Sequence, residues 1–169
     1  MTKEYLESEN IFDLIDIIQQ HTAMFIPDKS VTSLFTFLAG YVTCLELHRI
    51  VEDQVPNFQH FAEWLRKRFD HWNLSYGWAY AIKENIEDNQ DPLIKFFCLI
   101  SDFRKLRLEI ITNIHLNEEQ KRNIKEIKII KYNPEDLFFL RIYYNEKLID
   151  DISLFRTLEE AQSWAEERY

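Results

Sequence analysis

One stretch of sequence, Glu126–Tyr144, decides the fold class and reads EIKIIKYNPEDLFFLRIYY. Isoleucines alternate with lysines over much of Glu126–Tyr132, and a second apolar, aromatic run follows at Leu137–Tyr144, which is a pattern typical of β-strands. The connection between the two runs, Asn133–Asp136, is short and polar, so we expect them to pair antiparallel. A third run at Lys147–Ile152 extends the pair to a three-stranded antiparallel β-meander.

The chain before this stretch has a different period, with apolar residues three and four positions apart, which predicts amphipathic helices. Gly40 falls inside one of them, where the expected reason for a glycine is the close approach of another helix. Asp91 followed by Pro92 is a strong start signal for the last of them. We expect five helices: from the cap Asn10 to His21, from Asp28 or Ser30 as the cap to about His48, from Phe58 to about Trp72, one that Ser75 caps and that carries Trp78 and Ile82, and from Leu93 to about Ile111.

A last helix is expected after the strands, because Thr157-Leu158-Glu159-Glu160 has the sequence of a capping box. It should cover one face of the sheet, since a three-stranded sheet alone is only marginally stable. The sequence therefore predicts an α+β protein with a predominantly helical N-terminal unit, residues 1–113, followed by the meander and the C-terminal helix, residues 114–169. We expect the two parts to pack as one compact domain, because the second can bury only a small core by itself.

Composition excludes several functions. The chain has two glycines, Gly40 and Gly77, so it cannot form a glycine-rich phosphate loop or a G-x-S-x-G nucleophile elbow. A formal charge of −9 disfavours nucleic acid and anionic membranes as partners, and the basic triplet Arg66–Arg68 fits a solvated helix face. No apolar run approaches the ~20 residues that cross a bilayer, and the acidic start does not resemble a signal peptide. We therefore expect a cytoplasmic location.

No set of residues predicts catalysis or a cofactor. His60 and Glu63 are three positions apart and could supply two metal ligands, but the other histidines are scattered, so no metal site is expected. Cys44 and Cys98 lie among apolar residues and are expected to be buried packing residues. We therefore expect a protein that is not an enzyme. A hydrolase or a ligand binder with an unrecognised acidic site is the alternative.

A cluster of aromatic and acidic residues is the best candidate for a binding site. Tyr76, Trp78 and Tyr80 cannot all point the same way at the start of a helix, so at least one should reach the surface, where Tyr and Trp are efficient interface anchors. An aromatic anchor with an acidic surround fits a basic protein partner. A homodimeric or regulatory module that uses an exposed aromatic patch is the alternative. The candidate partner-binding residues are Tyr76, Trp78, Tyr80, Glu84, Glu87, Asp88 and Asp91.

Residues 29–104 also resemble a known kind of protein. The likeness is carried by Phe37-Leu38-Ala39-Gly40-Tyr41, by the segment from Phe61 to Trp72, by Tyr76-Gly77-Trp78 and by Phe96-Phe97-Cys98-Leu99 with Phe103. In these motifs the chain resembles small, uncharacterised bacterial proteins that accompany secreted polymorphic toxins and are thought to act as immunity proteins. The resemblance implies stoichiometric inhibition, in which the protein covers the active site of a cognate toxin and its acidic face complements a basic nuclease cleft.

Overall fold

A computed structural model describes residues 9–50, 52, 55–70, 76–114, 124–144 and 148–168 of the chain. The chain divides into two compact units, residues 1–104 and 105–169, and each is described by itself. Among the described residues, no helix combines the length and the apolarity needed to cross a membrane.

The first unit is helical, and the ends of its helices follow local capping signals. Asn10 accepts hydrogen bonds from the N–H groups of Phe12 and Asp13, and Asp91 from those of Leu93 and Ile94, as the sequence predicts. Of the two candidate caps Asp28 and Ser30, it is Ser30 that caps the helix, with a hydrogen bond from the N–H of Ser33. The helix that the sequence predicts from Phe58 begins with a 3₁₀ turn, Phe58–His60, and continues as an α-helix from Phe61. Its predicted end, Trp72, and the predicted cap of the next helix, Ser75, lie outside the described residues. The helices are α1 (Ile11–Gln20), α2 (Thr22–Phe25), α3 (Val31–His48), α4 (Phe61–Phe69), α5 (Gly77–Glu84) and α6 (Pro92–Phe103).

One phenylalanine lies at the centre of the aromatic core of this unit. Phe61 is fully buried, and its ring centroid lies 5.4–5.8 Å from five other rings in edge-to-face or stacked arrangements. Aromatic pairs in these geometries contribute about 0.5–1.5 kcal/mol each beyond the area that they bury. Phe61 therefore connects α4 to α5 and α6. Its five partners are Phe58, Trp64, Trp78, Phe96 and Phe103.

The close contact that the sequence predicts at Gly40 is found at the other glycine, Gly77. The prediction that a second helix approaches Gly40 is wrong, because a Cβ added there would meet no atom within 4 Å. Gly77 instead has a φ of +74°, and an added Cβ would lie 2.7 Å from Cζ of Phe35. Gly77 is therefore required both by its left-handed backbone and by its contact with α3.

The second unit is a four-stranded antiparallel sheet followed by a helix, so the predicted α+β class is confirmed. The strands are hydrogen-bonded in chain order, and the last three form the predicted meander. One face packs against the C-terminal helix, where Ala161 and Ala165 lie against Ile127 and Leu140. The elements are β1 (Arg107–Ile114), β2 (Ile124–Asn133), β3 (Leu137–Tyr144), β4 (Leu148–Phe155) and α7 (Leu158–Arg168).

The first strand was not predicted. The sequence suggests a helix that continues to about Ile111, whereas α6 ends at Phe103 and Arg107–Ile114 is strand β1. This segment contains four β-branched residues, which favour extended backbone, and antiparallel pairing with β2 satisfies its backbone hydrogen bonds. The compact units accordingly divide before β1, at residues 104 and 105, rather than at 113 and 114.

Candidate protein-binding surface

The start of α5 directs neighbouring aromatic side chains in opposite directions. Gly77, with its positive φ, packs against the ring of Phe35 and begins the helix. Tyr76 before it is 64% exposed, whereas Trp78 after it is 6% exposed. Because adjacent positions on a helix are about 100° apart, the residues around Gly77 cannot share one face. The expectation that at least one of these aromatic residues reaches the surface is confirmed.

The two tyrosines form an exposed pair. Tyr76 and Tyr80 are one helical turn apart, their ring centroids are separated by 5.0 Å, and the rings are inclined by 37°. Tyr80 is 42% exposed, so both rings reach solvent. Side chains four residues apart on a helix can contact each other in this way. The pair is therefore an exposed, partly apolar surface feature.

Trp78 does not belong to this surface. Its ring stacks on Phe96 at 4.7 Å and meets Phe35 edge to face at 5.2 Å, inside the core. The prediction of Trp78 as a contact residue is therefore wrong, because its position on α5 faces α3 and α6. Its role is to hold the helix that carries the two tyrosines.

Three exposed carboxylates lie at the other end of α5. Glu84 is the last residue of the helix, and Glu87 and Asp88 follow in the connection to α6. None of the three makes a hydrogen bond or an ion pair with any residue that the structure describes. The carbonyl groups at the C-terminus of a helix already carry partial negative charge, so acidic residues there are unfavourable for the helix itself. They create a local negative potential at the C-terminal end of α5, which lies one helical turn beyond Tyr80.

Asp91 has a structural role instead. Its carboxylate accepts hydrogen bonds from the N–H groups of Leu93, at 2.7 Å, and Ile94, at 3.4 Å. These hydrogen bonds cap the N-terminus of α6. The carboxylate that the sequence suggested for partner binding is therefore already occupied within the protein. The candidate residues that remain exposed and without a structural role are therefore Tyr76, Tyr80, Glu84, Glu87 and Asp88, and we call this set the tyrosine–acid surface.

The pair His60 and Glu63 has no third possible metal ligand grouped with it among the described residues. Among the described residues, no group of three or more His, Cys, Asp or Glu side chains could hold a metal ion. His60 is buried, and Oε2 of Glu63 lies 3.1 Å from Nε of Arg66. Burial raises the pKa of Glu63, while the charges of Arg66 and His60 lower it. This cluster is therefore an internal electrostatic contact of α4 and the turn before it.

A groove between α1 and α6 is the alternative site for a small ligand. It has a volume of about 880 Å³, and Cys98 is among its lining residues. Three of its charged lining residues have charged partners: Nη1 of Arg104 lies 2.8 and 2.9 Å from the carboxylate oxygens of Asp16, and Asp102 pairs with Arg68 at 3.3 Å. Lys29 and the helix cap Asp91 also line the groove.

The cysteines differ from the prediction. Cys44 and Cys98 are both exposed, although their sequence neighbours are apolar. Apolar neighbours on a helix occupy other faces, so they do not determine the burial of the residue between them. Cys98 lies on the groove side of α6, and Cys44 lies on an exposed face of α3.

No protein-family model, no curated protein and no solved structure matches this chain.

Proposed function

We propose that this protein is a non-catalytic binding protein that holds a basic protein partner on the tyrosine–acid surface. The observation that carries the proposal is the exposed Tyr76–Tyr80 pair on α5, with three carboxylates at and beyond the C-terminal end of the same helix that no described residue neutralises. Buried aromatic rings slow dissociation, and unpaired carboxylates steer and speed the approach of a cationic partner. The unit that carries this surface, residues 1–104, has 16 acidic and 9 basic residues, so its overall field has the same sign.

We further propose that the partner is a toxin and that the protein acts as its cytoplasmic immunity protein. The resemblance of residues 29–104 to immunity proteins supports this proposal. An acidic surface with two aromatic anchors is suited to covering the basic cleft of a nuclease, because the contacts reproduce the negative charge of the nucleic acid. One molecule of this protein would block one molecule of toxin without turnover.

The first experiment identifies the partner and then measures its affinity with purified components. Tagged full-length protein retains a partner from its own cells at low salt, and the partner is identified, purified and titrated by calorimetry. We expect a one-to-one complex whose affinity falls as salt increases. Growth of cells that express the partner alone, and together with this protein, tests whether the complex neutralises a toxin.

Variants with matched changes in charge test the surface itself. Glu84→Gln with Glu87→Gln should weaken binding and reduce its salt dependence, and Tyr80→Ala should increase the dissociation rate. Glu166→Gln with Glu167→Gln removes the same charge from exposed positions of α7 and should leave binding unchanged. Equal loss in both double variants would show that only net charge matters. Failure to recover any basic partner would overturn the proposal.

Ligand binding in the groove between α1 and α6 is the second candidate function, because a volume of about 880 Å³ is within the range of small-molecule sites. Thermal denaturation in the presence of a collection of metabolites tests it. A ligand that raises the melting temperature in the wild type but not in Ser101→Trp, which fills the groove, would favour this function.

A further inference from the structure

Helix α3 has an exposed face in addition to its buried one. Its buried residues are confined to its first half, Val31, Leu34 and Leu38. A different set of side chains recurs at spacings of four and three residues, so it lies along one side of the helix. Phe37 is 38% exposed and Leu47 is 77% exposed. We call this set the α3 seam: Ser33, Phe37, Gly40, Cys44 and Leu47.

The seam is also free of charge. No charged residue occurs from Ser30 to Leu45, although the helix exposes much of this length to solvent. An exposed helix face normally carries charged or polar residues, and this unit carries 16 acidic side chains elsewhere. A basic partner would find no opposite charge on the seam. Its occupant must itself present an uncharged face.

We propose that the α3 seam binds the α3 seam of a second copy of this chain, with the two helices antiparallel about a two-fold axis. This interface is separate from the proposed function, which uses the tyrosine–acid surface. A symmetric contact requires a face that is complementary to itself, and a charge near the axis would meet its own copy. The four–three spacing is that of helices that pack knobs into holes.

The sizes of the side chains select one antiparallel register. With the axis between Phe37 and Gly40, the ring of Phe37 lies over Gly40 of the second copy. The two-fold axis generates the same contact between Gly40 and Phe37 of the second copy. In the same register Cys44 lies opposite Ser33 of the second copy. The large ring of Phe37 therefore meets a glycine, and the two small side chains of Cys44 and Ser33 meet each other. A parallel pair would instead place Gly40 against Gly40 and leave a gap that no side chain fills.

The hollow beside α2 and the exposed Leu47 are complementary in this register. The hollow has a volume of about 450 Å³; Phe25, Ile26, Pro27 and Phe37 line it together with the polar residues Asp28, Ser33 and Thr36. Leu47 of the second copy lies opposite Ser30, at the edge of this hollow. The large apolar side chain that is most exposed among the described residues of the first unit thus meets a concavity that is mostly apolar. Together they bury surface that would otherwise be in contact with water.

Charged residues also flank α3. Arg49 follows its C-terminal end, and Asp28 and Lys29 precede its N-terminal end, so the antiparallel arrangement brings Arg49 of one copy to the end of the interface where Asp28 of the second copy lies, and the two-fold axis repeats this at the other end. Asp28 is exposed, and hydrogen bonds from Ser33 and Ser30 lower the pKa of its carboxyl, so it remains ionised. The antiparallel arrangement also places helix dipoles of opposite direction side by side.

Sedimentation velocity of the purified full-length protein over a wide concentration range tests the proposal. We expect a reversible equilibrium between monomer and dimer. Leu47→Glu, or Gly40→Leu, which blocks the approach of Phe37, should raise the dissociation constant of the dimer at least about tenfold. Ile94→Glu makes the same kind of change on α6, at a side chain that is 63% exposed, and should have no effect. Circular dichroism of each variant confirms that it is folded.

Disulfide cross-linking reports the register. Ser33→Cys in the Cys98→Ser background should form a covalent dimer through Cys44 with copper phenanthroline as the oxidant, whereas Cys98→Ser alone should not. The two cysteines cannot bond within one helix, because about 16 Å separates positions eleven residues apart. Cross-linking of Cys98→Ser alone would contradict the antiparallel register. A monomer at every concentration, or a dimer that Leu47→Glu leaves intact, would overturn the proposal. So would a monomer whose Leu47 contacts a lipid vesicle or another protein instead.

Discussion

The hydroxyl of Tyr41 donates a 2.6 Å hydrogen bond to Oε1 of Glu52, and so ties α3 to the segment that follows it. Oε2 of the same carboxylate accepts a hydrogen bond of 3.1 Å from the N–H of Ile11, the first residue of α1. That N–H has no partner within its own helix, and the N-terminus of a helix favours negative charge. One carboxylate therefore connects two helices. Desolvation, followed by the hydrogen bond to Glu52, raises the pKa of Tyr41 above its ordinary value.

We expect Tyr41→Phe to lower the free energy of unfolding by about 1 kcal/mol, because it removes one partly exposed hydrogen bond to a carboxylate. Glu52→Ala should cost more, since it removes the bond to Tyr41 and the bond to Ile11. Urea unfolding of both variants and of the double variant measures the coupling. If the two losses simply add, Tyr41 and Glu52 do not act as one contact.

The aromatic core predicts a large effect at Phe61. Phe61→Ala should lower the free energy of unfolding by about 3–5 kcal/mol, because five rings would border the cavity that it leaves. Ile94→Ala, at an exposed position, is the control and should change stability by less than about 0.5 kcal/mol. Unfolding followed by tryptophan fluorescence provides the measurement, since Trp64 and Trp78 both contact Phe61. Similar losses in the two variants would contradict the central position of Phe61.

The two glycines predict opposite effects of the same substitution. Gly40→Ala should raise the stability of the monomer by about 1 kcal/mol, because the site is helical and a Cβ has open space. Gly77→Ala should lower it by about 1–2 kcal/mol, because the left-handed backbone disfavours a side chain and the Cβ collides with Phe35. Thermal unfolding at low protein concentration measures both effects: the melting temperature should rise in Gly40→Ala and fall in Gly77→Ala. A stabilising Gly77→Ala would show that its φ is not held by the fold.

Glu63 predicts a specific dependence of stability on pH. Burial raises the pKa of Glu63 in the folded protein, so the folded state holds the proton more tightly than the unfolded state. The resulting stabilisation is present below the unfolded pKa of about 4.3 and is lost as the pH rises through the folded pKa. Relative to the wild type, Glu63→Gln should therefore become more stable as the pH rises from about 4.

Urea unfolding at a series of pH values measures this difference for Glu63→Gln. The exposed Glu166→Gln is the control and should show a difference that changes little with pH. A difference that falls with increasing pH for Glu63→Gln would mean that the contact with Arg66 outweighs burial.

The sequence determined the elements whose signals are local. Asn10, Ser30 and Asp91 begin helices because each side chain reaches an N–H two or three residues further along, which requires no distant partner. The alternation around Ile127 and Ile129 likewise predicted the strands of the meander, because a period of two is a property of the extended chain. The α+β class follows from these local patterns.

Only the tertiary structure decided that β1 is a strand rather than part of a helix, and which individual side chains are buried. The segment Arg107–Ile114 has apolar spacing that fits a helix or a strand, and the hydrogen bonds of β2 select the strand. Trp78 is buried and Cys44 is exposed because burial depends on which face of a helix meets another element. The sequence indicated the tyrosines and carboxylates near α5 as candidates for binding. Only the structure showed that two other candidates have internal roles, Trp78 in the packing of α5 and Asp91 as the cap of α6. Local hydrogen bonds lie within a few residues of sequence, whereas the contacts that bury a face join residues far apart in the chain.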